Sequence, residues 1–178
     1  GYRVLELGST VAGPFCGRLL ADFGADVIKV EAADGDPLRS MGERYRGKSL
    51  WAASIFRNKS LIGVDLRKPR GQELVKKLAA KCDFLIENFR PGLMRSFGLD
   101  YETLRERNPG LVYCSITAFG DGERDESAKR PGYDIIVQAM SGLMSITGER
   151  DGQPVRVGVA LLDVITGLYA ASGIQAAL

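Results

Sequence analysis

Short runs of aliphatic and β-branched residues alternate along the chain with segments whose apolar positions recur every three or four residues, the pattern of βαβ units around a parallel sheet. YRVLELG, ADVIKVEA, SLIGVDL, DFLIENF and GLVYCSITAFG read as strands. Between them PFCGRLLADFG, PRGQELVKKLAAKC and PGLMRSFGLDYETLRERNPG read as helices covering the sheet. In the second, Leu74, Val75, Leu78 and Ala79 share one face and Pro69 stands near the start. DGERDESAKRPG interrupts the alternation as a charged connection, and YDIIVQAMSGLMSI and the closing VRVGVALLDVITGLYAASGIQAAL are predicted helical. The expected architecture is α/β: a Rossmann-like parallel sheet flanked by helices over residues 1–120, a charged loop over 121–132, and a helical segment over 133–178. The last segment ends inside an apolar helical pattern without a Gly or Pro stop, which predicts a chain continuing elsewhere.

Composition narrows the function classes. Lys and Arg total 24 against 22 Asp and Glu, a net charge of +2, so no broad basic surface for nucleic acid is implied and any anion must be held locally. Cys16, Cys82 and Cys114 form no CxxC pair and no metal pattern, and read as reduced core residues. No basic leader and no apolar run of about eighteen residues is present, which predicts neither export nor membrane spanning. The expected location is cytoplasmic, or mitochondrial or peroxisomal if a targeting segment has been trimmed.

Three stretches carry candidate chemistry. In the first βα turn the glycines lie at 8, 13 and 17, not in G-x-G-x-x-G spacing. Although Glu31 ends the next strand as in a dinucleotide site, a tight turn and a closely packed helix is the better reading. ENFRPG places Asn88, Phe89 and Arg90 just after the fourth strand, where open α/β sheets collect ligands. An amide, an aromatic face and a guanidinium suit a purine with phosphate, while the plainer reading is a cap, a plug and a solvated charge. Arg67, Lys68 and Arg70 follow the third strand and Arg39 the second, so three strand ends carry cations, a pattern favouring a polyphosphate ligand. Asp163 is the one charge past Arg156. It reads either as the N-cap of the closing helix or as a nucleophile, and both roles favour its ionised form.

Several separated blocks in one order resemble the class III CoA-transferases, the CaiB/BaiF family, across the whole chain. They are VLELGSTVAGPF, FGADVIKVE with GDPLR, NKSLIGVDL, ENFRPG, GLDYETLRERNPGLVYCSITAFG, RPGYD and PVRVGVALLDVITGLYA. The resemblance implies roughly the N-terminal half of such an enzyme, with a Rossmann-like large domain, a smaller domain downstream and two interlocked subunits. It implies CoA and acyl-CoA as substrates, a free carboxylic acid as acceptor, and no metal, nucleic-acid or membrane partner. The family's nucleophile falls on Asp163, which would form an aspartyl mixed anhydride and then an aspartyl-CoA thioester. Val159, Leu161, Leu162 and Val164 would supply a dry wall, with Gly158 and Gly167 leaving room for backbone approach. The family's CoA contacts fall on Val11 and Ala12, on Val64, Asp65, Leu66 and Arg67, on Asn88, Phe89 and Arg90, and on Pro131, Gly132, Tyr133 and Asp134. Ala32 and Ser96 depart from the basic residues common there, leaving Arg39 and Arg95 as substitutes for phosphate contacts. The racemases of the same family pair a histidine with the aspartate. This sequence has no histidine and Tyr133 at the matching position, a poor base at neutral pH with a reference pKa of about 10. A nucleotide-binding Rossmann protein of another kind, a dehydrogenase or a silent CoA binder, is the reading outside the family.

Overall fold

The computed structural model describes residues 1–120 and 130–178; residues 121–129, most of the expected charged loop, lie outside the described residues. Five strands, β1 (Arg3–Glu6), β2 (Asp26–Glu31), β5 (Lys59–Gly63), β6 (Phe84–Glu87) and β7 (Val112–Ser115), form one sheet in the order β5-β2-β1-β6-β7. Every neighbouring pair is parallel, with Leu5 of β1 opposite Ile28 on one side and Leu85 on the other. The chain builds outward from β1 to β5, then crosses back to start β6 on β1's free edge. That reversal opens a crevice at the carboxyl ends of β1 and β6.

Strand alternation sends residues to two cores. Val4, Val27, Phe84 and Ile86 meet Cys16, Leu20 and Ala21 of α1 (Ala12–Asp22) and Ala171 and Ile174 of α7 (Leu161–Ala176). On the other face Leu5, Leu7 and Leu85 meet Val75 and Ala79 of α3 (Pro69–Ala79), together with Met94, Leu99 and Leu104. The final helix is therefore part of the sheet's own core.

The structure refines the helix expectations where glycine intervenes. Residues 91–110 form two short helices, α4 (Leu93–Ser96) and α5 (Tyr101–Arg105), because Gly92 and Gly98 adopt left-handed φ values of 83° and 63°. Gly142 at φ 83° similarly ends α6 (Asp134–Met140) before a 3-10 turn at Leu143–Ile146. Helix α7 begins at Leu161, six residues after Val155, because the buried Gln138 ties down the extended segment before it. Its Oε1 accepts from the Val157 amide at 2.8 Å and its Nε2 donates to the Val159 carbonyl at 3.2 Å. Between β2 and β5, a region with no predicted elements, lie a 3-10 turn at Pro37–Ser40, a hairpin of β3 (Arg44–Tyr45) and β4 (Lys48–Ser49), and α2 (Leu50–Ile55), which Ser49 caps. Leu38, Ala52, Ile55 and Phe56 pack there with Phe15 of α1.

Candidate active site

The crevice between β1 and β6 opens into a cavity of about 610 Å³ whose lining includes Gly8, Ser9, Glu31, Val64, Leu66 and Phe89. It receives the loops after four of the five strands, the position where open α/β sheets bind ligands. Asn88 braces the turn at Ser9 on its wall: Oδ1 accepts from the Ser9 amide at 2.7 Å and Nδ2 donates to the Ser9 carbonyl at 3.0 Å. This packing explains two of the three turn glycines. A Cβ on Gly8 would lie 2.8 Å from Asn88 Oδ1, and one on Gly13 3.2 Å from Asn88 Cγ. The third, Gly17, lies against Glu6, whose Oε2 would be 2.0 Å from an added Cβ.

Beneath this turn lies a set of buried charges. Lys29 Nζ is bonded to the Gly8 carbonyl at 2.6 Å and paired with Asp36 at 3.0 Å and Glu6 at 3.2 Å. Lys59 Nζ reaches the other oxygen of Glu6 and the Pro14 carbonyl, each at 2.6 Å. Sequence reasoning passed over Glu6, Lys29, Asp36 and Lys59. The available signal was a charge in the middle of strands otherwise apolar on both faces, VLELG and VIKVE, where an unpaired charge would be untenable.

Asp163 lies in the first turn of α7, half-buried, and does not cap it. Ala160 holds the cap position without a side-chain bond, and the capping is done from another helix: Asp134 Oδ1 accepts from the Leu162 amide at 2.7 Å and the Asp163 amide at 3.2 Å. Burial first, and the nearby Asp134 charge second, push the Asp163 carboxyl up to about 6. Desolvation and the Asp134 charge therefore act against the helix dipole at this carboxyl, which still favours its ionised form at neutral pH. Gly167, one turn further along, allows the close approach expected of it, since a Cβ there would lie 2.9 Å from the Ala12 carbonyl. Gly158 has open space around it, while Val159, expected in the dry wall, is 57% exposed within this chain.

The sequence model of CoA-transferase family III matches residues 1–178. The chain belongs to CoA-transferase family III. It is 50% identical over 186 aligned residues to the succinate–glutarate CoA-transferase of Agrobacterium fabrum, covering 100% of this chain and 46% of that protein. To the succinyl-CoA:glutarate CoA-transferase of Mus musculus it is 47% identical, covering 100% of this chain and 41% of the relative. The crystal structure of a CaiB/BaiF family protein from Brucella suis superposes with a TM-score of 0.94 at 44% identity, over 99% of this chain and 48% of that one. The chain thus spans less than half the length of these relatives.

The fold of this family III chain divides the expected contact residues into groups. Val64, Asp65, Leu66, Arg67 and Phe89 line the cavity. Val11 and Ala12 are buried where the turn enters α1, and Asn88 spends its amide on Ser9. Two of the cations at the strand ends, Arg39 and Arg67, are held by neighbouring carboxylates. Arg39 forks onto Glu31 with both bonds at 2.7 Å, and Arg67 pairs with Asp65 at 2.8 Å while remaining 82% exposed. Arg90 is exposed and is not among the residues lining the cavity. Pro131, Gly132, Tyr133 and Asp134 stand apart from the cavity lining. A Cβ on Gly132 would lie 2.0 Å from that of Ala118 past the end of β7, and Asp134 is engaged with α7. The three cysteines are free, and burial pushes the Cys114 thiol up to about 11 and the others upward as well.

Proposed function

We propose that this chain carries the CoA-binding cavity and the nucleophile of a CoA-transferase, with Asp163 as the attacking group. The observation that carries the reading is the environment of Asp163: half-buried at the start of a capped helix, with its carboxyl raised to about 6 by burial and by Asp134. Such a group is largely ionised at neutral pH yet more basic than a solvated carboxylate, which suits nucleophilic attack. The β1–α1 turn links the two parts of the site. Gly8 and Ser9 line the cavity, and Ala12 meets Gly167 one turn from Asp163. CoA lying in the cavity would direct its thioester across this turn.

In the proposed reaction an Asp163 oxygen attacks the donor thioester carbonyl and CoA thiolate leaves, giving an aspartyl–acyl anhydride. The thiolate attacks the aspartyl carbonyl, releasing the donor acid and forming an aspartyl-CoA thioester. The acceptor carboxylate attacks that thioester, and the returning thiolate takes the new acyl group and frees Asp163. No net proton is transferred, so a histidine base is not required, and the sequence has none. This disfavours the racemase reading, in which Tyr133, 62% exposed, would have to serve as a base. The relatives' names support succinyl-CoA as donor and a short dicarboxylic acid as acceptor. A dimer that covers Leu168 and Tyr169, 46% and 77% exposed on α7, belongs to the same reading.

The test is mass spectrometry of the full-length protein incubated with succinyl-CoA. An aspartyl-CoA adduct on the peptide containing Asp163, absent from Asp163→Ala, supports the reading; succinyl transfer to glutarate undiminished in Asp163→Ala defeats it.

A further inference from the structure

Glu6, Lys29 and Asp36 have no part in the proposed chemistry, yet they are almost wholly removed from solvent, and burying such charges is costly unless they are paired. Their bonds converge on one short piece of backbone. Lys29 Nζ holds the Gly8 carbonyl at 2.6 Å. The Asp36 carboxylate holds the Thr10 amide, with both oxygens at 3.2 Å, and also the Leu38 amide at 2.9 Å. Lys59, tied to Glu6, holds the Pro14 carbonyl in the first turn of α1. The turn is thus gripped before, within and after its bend. At the bend Thr10 adopts φ 65°, a left-handed conformation that a β-branched residue resists.

A network that satisfied only its own charges would not need to hold a strained threonine. Two lysines and two carboxylates balance, and the Phe56 ring faces both ammonium groups at 4.9 Å and 5.8 Å. The held backbone is the same backbone that forms the cavity wall at Gly8 and Ser9 and presents the Ala12 carbonyl to Gly167. Asp36 itself reaches the cavity lining.

We infer that Lys29 and Asp36 are positioning residues that lock the Gly8–Ala12 turn in its left-handed form, and so fix both the wall of the CoA cavity and the seat of the helix bearing Asp163. The functional half of this inference rests on the cavity being the CoA site; the structural half does not. Asp36→Asn keeps the shape of the side chain but removes its ion pair with Lys29. Thr10→Pro leaves the charges in place and excludes both φ 65° and the amide that Asp36 holds.

The experiment combines hydrogen exchange of the ligand-free full-length protein with CoA titration by calorimetry. In Asp36→Asn, amides of residues 8–12 should exchange about tenfold faster while β6 is unchanged, and CoA affinity should fall about tenfold, the scale of one charge-assisted hydrogen bond. Adding Thr10→Gly to Asp36→Asn should restore much of that affinity, because glycine takes the left-handed form without strain, whereas a general loss of stability would not be rescued. Thr10→Pro should fold and lose affinity at least as far as Asp36→Asn. Unchanged exchange at residues 8–12 in Asp36→Asn, or wild-type CoA affinity in a folded Thr10→Pro, would overturn the inference, the second holding even if Asp36→Asn does not fold. If wild-type protein binds no CoA, the functional reading fails by itself and exchange still decides whether the turn is locked.

Discussion

Asp134 caps the helix that carries Asp163. One oxygen of Asp134 accepts from both Leu162 and Asp163 amides, while its charge helps raise the Asp163 carboxyl above the ordinary carboxylate range. Gln138 Nε2 holds the other oxygen at 2.5 Å, so the cap is itself oriented from within α6. One carboxylate therefore positions a second and tunes it.

Replacing Asp134 separates those two effects. Asp134→Asn retains an oxygen for the two amides but removes the charge, so the Asp163 carboxyl should fall below about 6. The acidic limb of the turnover–pH profile should move to lower pH. Asp134→Ala should in addition lower stability by about 1 kcal/mol through the lost cap. An unmoved acidic limb in Asp134→Asn would show that burial alone sets the titration.

Asp163 should cost the fold stability at neutral pH. Its carboxyl is raised from 3.8 to about 6, so its charged form is disfavoured in the folded state. The penalty is absent below the unfolded pKa of 3.8, grows as pH rises, and is complete above about 6. Asp163→Asn should accordingly raise unfolding free energy at pH 7.5 by about 1–2 kcal/mol, solvent screening of the half-exposed carboxyl reducing the full penalty, and change it little at pH 3.5, while abolishing transfer. Denaturant melts at the two pH values measure the difference.

Gly167→Ala should displace α7. Alanine normally strengthens a helix interior, but here its Cβ would lie 2.9 Å from the Ala12 carbonyl and 3.0 Å from Phe15, and backbone cannot yield cheaply. A loss of about 1–3 kcal/mol is expected. Turnover should fall more than CoA affinity, because the shift reaches Asp163 before it reaches the cavity. Steady-state kinetics with calorimetry would separate the two.

Arg67→Ala and Arg90→Ala should leave stability within about 0.5 kcal/mol, since both side chains are solvent-exposed and Arg67 pairs with the nearby Asp65 at the surface. If they contact CoA phosphates, each should weaken CoA binding by about 1–3 kcal/mol. Thermal melts and CoA titration of the same samples check both halves. Unchanged affinity in both would place the phosphate contacts elsewhere.

Alternating patterns were enough to find the five parallel strands and the helices α1 and α3, because period and turn chemistry are local properties of the sequence. The ordered blocks from VLELGSTVAGPF to VITGLYA were likewise enough to indicate the family that the comparisons establish. The sequence could not break 91–110 at Gly98 or start α7 at Leu161. The first depends on Gly98 taking a left-handed bend and the second on a glutamine from another helix tying down the preceding segment. Nor could it separate a cap from a capped residue: Asp163 and Asp134 are 29 positions apart, and only folding brings one to the amide of the other. Glycine spacing showed that the first turn lacks the dinucleotide pattern, but the reasons for Gly8 and Gly17 are Asn88 and Glu6, partners supplied by packing. Strand content follows from each residue's own preference for a pleated surface. The pairing of Lys29 with Glu6 and Asp36, the bend at Thr10 and the raised Asp163 depend on desolvation and distance, quantities that exist only once the chain has closed on itself.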